Sequence, residues 1–173
     1  LVTIYDISLV SGWNLISLPL IPGSTNIEDV LAGIMTNVES VWAYDGATQT
    51  WSFFVPGGPP SLTEMTEGKG CWVNVTNPCV LTVEGTEPSL PHDIPLFSGW
   101  NLIGLPLFAG STNIEDVLAG IMTDIESVWA YDGATQTWFF FVPGGPPSLT
   151  EMTEGKGYWV NVSIPCVLTI EDS

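Results

Sequence analysis

The sequence consists of two nearly identical copies of one segment. Residues 11–86 align without gaps to residues 98–173 at a constant offset of 87, and 12 of the 76 paired positions differ. Repeats of this length are whole small domains rather than solenoid units, whose periods are shorter. We therefore predict two domains, 7–86 and 94–173, joined by a Pro-rich linker at 87–93 and preceded by an N-terminal extension at 1–6.

Most of each copy has the pattern of β-strands. The stretch "SGWNLISLPL" at 11–20 is typical of a buried strand that follows a Gly turn. "VESVWAYD" and "TQTWSFFV" flank the turn residues Asp45-Gly46, which predicts a hairpin. "GCWVNV" and "CVLTVE" flank Asn77-Pro78 and predict a second hairpin.

One short helix is expected in each copy, after the first strand. Apolar residues recur there at helical spacing, from Ile27 to Ile34, and Thr25 and Glu28 have the spacing of a capping box. We predict that the chain is mainly β, with two tandem small β-sandwich or barrel domains that each carry one short α-helix.

The charge balance limits the partners of the chain. There are 19 acidic and 2 basic residues, which gives a formal net charge of −17. Two basic side chains are too few to neutralise the phosphates of a polyanion. Nucleic acid and anionic membrane surfaces are therefore excluded as partners. The apolar runs are strand-sized, so we expect no membrane span. Since 45% of the residues are hydrophobic, the chain must bury apolar surface internally or share it with other copies.

Residues that carry out catalysis or bind metals are scarce. The single histidine, His92, lies in the linker, so no His-containing triad can be built within either copy, and the few Cys and His do not suit a zinc site. Paired carboxylates such as Glu64 and Glu67 suit capping or polar loops better than hydrolysis. We expect no enzymatic activity, no cofactor and no metal.

The cysteines and sequons suggest an oxidising, extracellular location. Cys71 and Cys79 flank the second predicted hairpin and are candidates for a disulfide, the alternative being that they are small buried hydrophobes. Asn74 and Asn161 each begin an N-x-Ser/Thr sequon and are candidate glycosylation sites.

The N-terminal extension has the alternation of a strand. Leu1, Thr3 and Tyr5 alternate with other side chains, whereas the matching part of the second copy is the Pro-rich linker. We expect residues 1–6 to lack a strand partner in their own domain and to act as a donor strand for a neighbouring subunit.

The differences between the copies suggest a subunit interface. Phe108, Phe139, Tyr158 and Ile164 replace smaller or more polar residues of the first copy. Core positions resist such growth, because overpacking costs about 1–3 kcal/mol. We therefore expect these four residues to meet different neighbours on the surface, together with Leu1, Thr3 and Tyr5.

Aromatic residues alternate on the first hairpin. Trp42, Tyr44 and Trp51 can form a ladder across its two strands. If the ladder is exposed, these side chains form a platform on which sugars stack. If it is buried, they belong to the core.

The motifs together resemble a family of extracellular repeat domains. "GWNLISLP", "VWAYD" followed by "TW", and "GKGYWV" are similar to repeat domains of surface-layer-like and adhesive proteins of archaea and bacteria. The resemblance covers nearly all of both copies and implies a location at the cell surface. We predict a secreted structural subunit that polymerises with itself into a filament or surface array by strand addition. The alternative is a carbohydrate-binding or adhesive module with surface glycans as partners.

Overall fold

The chain is mainly β, as predicted. A computed structural model describes residues 1–172. Its strands pair in antiparallel sheets. We call residues 1–86 the first half and residues 87–172 the second half. Among the described residues, no helix has the length and apolar character needed to cross a bilayer.

The first half begins with three strands and a short helical segment, and continues with four more strands. Its elements are β1 (Thr3–Leu9), β2 (Gly12–Ser17), β3 (Ile21–Pro22), α1 (Ile27–Val30), a 3-10 helix (Ala32–Asn37), β4 (Val38–Asp45), β5 (Thr50–Phe54), β6 (Gly70–Val75) and β7 (Cys79–Thr86).

The second half repeats this order, except that its described residues form no counterpart of β3. Its elements are β8 (His92–Leu96), β9 (Gly99–Gly104), α2 (Ile114–Val117), a 3-10 helix (Ala119–Asp124), β10 (Ile125–Asp132), β11 (Thr137–Phe141), β12 (Gly157–Val162) and β13 (Cys166–Ile170). The last two residues of the predicted linker thus belong to strand β8.

Each half has two sheets with an apolar core. In the first half the sheet orders are β2-β6-β4-β5 and β1-β7-β3, and in the second half β9-β12-β10-β11 and β8-β13. Inward side chains of both sheets, such as Val73 on β6 and Leu81 on β7, form one core cluster in the first half. A second cluster lies in the second half, where Val160 and Leu168 hold the matching positions.

Local predictions were right for the first hairpin and wrong for the second. Strands β4 and β5 pair from Asp45↔Thr50 to Val41↔Phe54, with a turn whose last residue, Gln49, has a φ of 56°. In contrast, β6 pairs with β2 and β4, whereas β7 pairs with β1 and β3 in the other sheet. The turn at Asn77-Pro78 therefore joins two sheets, because both strands need their apolar faces on the same core.

The helix is shorter than predicted and has a different cap. Asn26, rather than Thr25, caps α1, since its side-chain oxygen accepts a hydrogen bond from the Glu28 amide. The Thr25 hydroxyl instead donates to Glu64. After one turn the helix continues as the 3-10 segment, which places Ile27, Leu31 and Ile34 in the core.

The expectation that residues 1–6 lack a partner is wrong. Strand β1 starts at Thr3 and pairs with β7 in its own half, from Thr3↔Gly85 to Leu9↔Cys79. The alternation seen in the sequence serves this pairing: Ile7 and Leu9 enter the core, while Ile4 points outward. The donor-strand hypothesis thereby loses the observation that motivated it.

The two halves pack closely where both copies carry glycine. A Cβ atom placed on Gly70 would lie 2.9 Å from the Ile103 carbonyl oxygen, and one on Gly157 would lie 2.9 Å from the Ile16 carbonyl oxygen. Such distances leave no room for a side chain. The second glycine of each "GKG" segment, Gly70 or Gly157, is therefore required because the other half's backbone approaches it there.

Backbone hydrogen bonds join the halves at the same place. The Ser17 amide donates to the Gly155 carbonyl at 3.1 Å, and the Gly104 amide donates to the Gly68 carbonyl at 3.2 Å. Since Gly104 is the counterpart of Ser17, and Gly155 of Gly68, the two contacts are equivalent. The halves are thus related by an approximate twofold axis.

Candidate ligand-binding surface

The faces of the sheets opposite the core carry the tryptophans. On β6, Cys71, Val73 and Val75 face the core, so Trp72 and Asn74 face away from it. In the neighbouring strands Trp13 lies opposite Asn74, and Trp42 lies opposite Trp72. The second half repeats this arrangement with its own residues.

The outward tryptophans of one half contact those of the other. Trp51 and Tyr44 pack on Trp159 of the second half, with ring centroids 5.6 and 5.3 Å apart. We call this group cluster 1; its members are Trp42, Tyr44, Trp51, Trp100 and Trp159.

A second cluster follows from the twofold relation. Trp138 and Tyr131 pack on Trp72 of the first half, at 5.7 and 5.2 Å. We call this group cluster 2; its members are Trp13, Trp72, Trp129, Tyr131 and Trp138. All eight tryptophans of the chain thus belong to two clusters, each built from both halves.

These clusters line two open grooves. We call the two clusters and their grooves together the aromatic surface. One groove, of about 560 Å³, is lined by Trp13, Trp42, Trp51, Trp72 and Tyr131. Its counterpart, of about 470 Å³, is lined by Tyr44, Trp51, Trp100, Trp129, Trp138 and Trp159. Both volumes are in the range of roughly 300–1,000 Å³ that small-molecule sites occupy.

The outermost rings remain accessible. Trp51 is 49% and Trp138 46% exposed, and their neighbours Trp13 and Trp100 are 41% and 38% exposed. Large apolar side chains that cluster on a surface at such exposure mark an interaction site. Side-chain packing alone therefore does not account for the aromatic surface.

Polar groups border the aromatic rings. The Asn74 amide nitrogen donates to Glu39 at 3.2 Å, and the equivalent Asn161 donates to Glu126 at 3.2 Å. These pairs leave the asparagine oxygens and the carboxylates free to accept further hydrogen bonds. Each cluster thus combines apolar rings with a few acceptors, which is the composition of a ligand site.

Tryptophan N–H groups supply donors. The indole N–H groups of Trp42 and Trp129 donate to the Ser40 and Ser127 hydroxyls, at 3.3 and 3.2 Å. Within residues 1–172, the indole N–H of Trp51 makes no hydrogen bond to protein. A ligand on the aromatic surface can therefore receive hydrogen bonds as well as give them.

The sugar-stacking candidates Trp42, Tyr44 and Trp51 lie together, but the surface is larger than predicted. Trp100 and Trp159, which complete cluster 1, belong to the second half. They could not be assigned while the copies were treated as separate domains. The alternation in "GCWVNV" and "GYWVNV", which turns one Trp outward on each central strand, was the available signal.

The proposed subunit-interface residues have varied locations. Tyr158 is only 1% exposed, so the expectation that it lies on a surface is wrong: its ring completes the second-half core. Phe108 is half-buried against the same core. Phe139 and Ile164 are exposed, at 36% and 55%.

The N-terminal candidates are partly engaged within the chain. Leu1 is fully exposed. The Thr3 hydroxyl donates to Glu87 at 3.1 Å. The Tyr5 hydroxyl donates to the Glu154 carbonyl at 3.2 Å, so this ring docks on the second half. Burial raises the pKa of Tyr5, and the nearby Glu154 carboxylate adds to the effect.

The expected disulfide is not formed. Cys71 and Cys79 are free thiols on strands of different sheets, and Cys166 is also free. Cys71 is buried, and this burial raises its pKa to about 12. Cys79 and Cys166 are half-buried, and burial raises their pKa values too.

The glycosylation candidates lie on the aromatic surface. Asn74 and Asn161 are half-buried on central strands, and their amide nitrogens are the donors to Glu39 and Glu126. A glycan attached to either nitrogen would displace that hydrogen bond and cover the adjacent tryptophans. Modification at these positions stays a prediction.

Comparison with protein-family models, curated proteins and solved structures found no match. Among residues 1–172, no group of three or more His, Cys, Asp and Glu side chains has the arrangement of a metal site. The aromatic surface is therefore the basis for a functional proposal.

Proposed function

We propose that this chain is a carbohydrate-binding or adhesive module of a cell surface, and that its aromatic surface binds neutral glycans. The observation that carries the proposal is the position of all eight tryptophans in two clusters that line open grooves. Clustering exposed indoles leaves apolar area in water, which is unfavourable unless a partner covers it.

Sugar rings match the chemistry of the grooves. Their C–H-rich faces pack on indole rings, and the hydroxyl groups at their edges exchange hydrogen bonds with amide and carboxylate groups. Asn74 with Glu39, and Asn161 with Glu126, supply such groups beside the rings.

The charge of the chain favours a neutral glycan. The net charge is −17, and the two lysines, Lys69 and Lys156, lie outside the residues that line either groove. A sulfated or uronic-acid polymer would be repelled by this field and would find no cation to pair with.

The twofold arrangement supports binding of a polymer. The two grooves have equivalent linings, so a chain with repeating sugar units can occupy both. Occupation of one groove raises the effective concentration at the other, which increases the overall affinity. Short oligosaccharides that reach only one groove should therefore bind more weakly than longer ones.

Tryptophan fluorescence during titration with a panel of neutral polysaccharides tests the proposal. The double variant Trp51→Ala/Trp138→Ala removes the most exposed ring of each cluster and should weaken binding at least about tenfold. The matched control is Val80→Ala/Val167→Ala, a pair of equally exposed residues outside the aromatic surface. The control should bind like the unchanged chain.

Tetramethylammonium is the contrasting probe, because aromatic cages also bind quaternary cations. Binding of this cation in the absence of any glycan response across the panel would contradict the proposal. Equal glycan affinity of the tryptophan double variant and the control would contradict it as well.

Self-assembly into a filament or surface array by strand addition is a second proposal. The observation that favours it is the free edge of β1, where Leu1, Val2 and Ile4 are exposed. An open strand edge with apolar side chains can pair with another chain. Electron microscopy of the untagged protein tests this; only dispersed particles at high concentration would contradict it.

A further inference from the structure

The first half contains a cavity that does not belong to the aromatic surface. It measures about 260 Å³ and lies on the core side of β6, where Cys71 forms part of its wall. Ser52, Leu62, Met65 and Thr66 border it as well. Its volume is below that of most drug-sized sites and suits a single ring.

The second half has two aromatic side chains at the equivalent wall positions. Tyr158 replaces Cys71, and Phe139 replaces Ser52. Tyr158 is 1% exposed, and its hydroxyl accepts a hydrogen bond from the Thr153 amide at 2.9 Å. A phenol ring thus lies, in the second half, beside the Thr153 amide, where the first half has only the short Cys71 side chain. A cavity of about 600 Å³ remains next to this ring, between the two halves, and Phe139, Thr153 and Tyr158 line part of it.

The first half keeps the donor that holds this phenol. The loop "SLTEMTEGKG" is identical in the two copies, so Thr66 matches Thr153. Within residues 1–172 the Thr66 amide, which lies outside any strand, has no hydrogen-bond partner. Since the Cys71 side chain is too short to reach it, this amide is free to bind a ligand in the cavity.

The chemistry of the wall selects an uncharged ligand. Because burial raises the pKa of Cys71 to about 12, its thiol stays protonated and serves as an apolar wall rather than a nucleophile. Asp45 and Glu64 lie at the cavity with a single cation, Lys69, so the lining has a net negative charge that disfavours an anionic ligand. A neutral phenol meets none of these obstacles.

We propose that this cavity binds a small phenol, an aromatic ring with one hydroxyl group, in the place that Tyr158 fills in the second half. The ring packs against Cys71, Leu18 and Met65, and the hydroxyl accepts a hydrogen bond from the Thr66 amide. The proposal does not rest on the glycan-binding role, because Cys71 and Trp72 point to opposite sides of β6, and within residues 1–172 Tyr44 of cluster 1 is the one residue that borders both sites.

The test uses 4-methylphenol, the tyrosine side chain as a free molecule, with the whole chain. Titration followed by the amide resonance of Thr66 in nuclear magnetic resonance spectra should show saturable binding. Toluene, which lacks the hydroxyl, should bind several-fold more weakly because it cannot accept the hydrogen bond. A shift of equal size and affinity with both probes would overturn the hydrogen-bonded pose.

The variant Ser52→Phe/Cys71→Tyr builds the second half's own pair of side chains into the first half. It should abolish the saturable response at Thr66, whereas binding to the aromatic surface should remain. Unchanged binding of 4-methylphenol near Thr66 in this variant would overturn the proposal.

Tyr158→Cys provides a reciprocal measurement if the double variant does not fold. This change enlarges the cavity beside Thr153 in the second half and should lower the melting temperature, since a buried ring is lost. Saturating 4-methylphenol should restore part of that loss and give a response at the Thr153 amide. No response at Thr153, with a melting temperature that the ligand leaves unchanged, would overturn the proposal.

Discussion

Ser17 and Gly104 are equivalent positions of the two copies, and they meet at the approximate twofold axis. There is room at the axis for one serine and one glycine. A Cβ atom placed on Gly104 would lie 2.0 Å from the Ser17 Cβ, so one of the two residues must be glycine. The Ser17 hydroxyl uses the space to donate to the Lys156 carbonyl at 2.7 Å. A perfect duplication would place two serines there and separate the halves.

Gly104→Ala should therefore destabilise the whole chain. Both residues belong to strands whose backbones are held by neighbours, so the clash cannot relax easily and should cost about 1–3 kcal/mol of unfolding free energy. Urea unfolding measures this loss. Gly23→Ala is the control, because a Cβ there meets no atom within 4 Å.

The exchanged pair Ser17→Gly/Gly104→Ser should recover most of the lost stability. It again places one serine opposite one glycine across the axis. If Gly104→Ala and Gly23→Ala had the same effect on unfolding, the close approach of the halves at this point would be wrong.

Cys71 should make the stability depend on alkaline pH. In the unfolded chain this thiol ionises near 9.0, but in the native chain its pKa is about 12. Above pH 9 the unfolded state thus loses a proton that the native state keeps, and the free energy of unfolding falls as pH rises. The contribution is fully present below pH 9 and decreases by about 1.4 kcal/mol per pH unit towards pH 12.

Urea unfolding at pH 8, 9 and 10 measures this slope. At higher pH the ionisation of tyrosines would dominate the pH dependence of stability. Cys71→Ala is the control and should show a smaller decrease over the same range, because it lacks the thiol. Equal slopes for the two proteins would show that Cys71 is accessible to water in the native state.

Among the elements, β1 can act either as a strand of its own half or as a donor strand for a neighbouring subunit, and deletions distinguish the two. Because Thr3–Asp6 pair with β7 and Tyr5 contacts the second half, deletion of residues 1–6 should lower the stability of the chain itself. Deletion of residues 1 and 2, which precede the strand, should leave thermal unfolding unchanged. A loss of assembly with no loss of stability in the longer deletion would instead support a donor strand.

Patterns within one element predicted that element well. The 2-residue alternation and the Asp45-Gly46 turn gave the β4–β5 hairpin, since its contacts are local. The partner of β6 was predicted incorrectly, because the choice between β7 and β2 depends on which sheet each apolar face must cover. No local signal distinguishes a hairpin turn from a turn that crosses between sheets.

The candidate site was only partly predictable for the same reason. The sequence pointed to Trp42, Tyr44 and Trp51 because they share one hairpin. Trp159 lies 108 residues after Trp51 in the sequence and contacts it only because the halves pack together. Tyr158 was wrongly predicted to lie on the surface, because a residue that is larger in one copy was expected to be exposed. Its ring is instead buried and fills space that the first half leaves empty.

For the whole molecule, the aromatic surface depends on the pairing of the halves. Trp72 contacts Trp138, and Trp159 contacts Trp51, so neither cluster exists in one half alone. Each groove takes most of its tryptophans from one half and is completed by side chains of the other, such as Tyr131 in the first groove and Tyr44 in the second. The glycan affinity of the grooves should consequently weaken when the interface between the halves opens, even if each half keeps its own core. The pairing of the halves thus completes each groove.

The pairing can be tested with the separated halves, residues 1–86 and 87–173. The second half carries Gly104 at the axis and should form a homodimer that replaces the missing partner, since two glycines leave room for both backbones. The first half would bring two copies of Ser17 together and should remain monomeric or associate weakly. Sedimentation equilibrium measures both, and Ser17→Gly in the first half should allow it to dimerise. Equal association of the unmodified halves would mean that the residue at the axis does not control pairing, and that the larger glycine-lined contacts at Gly70 and Gly157 suffice by themselves.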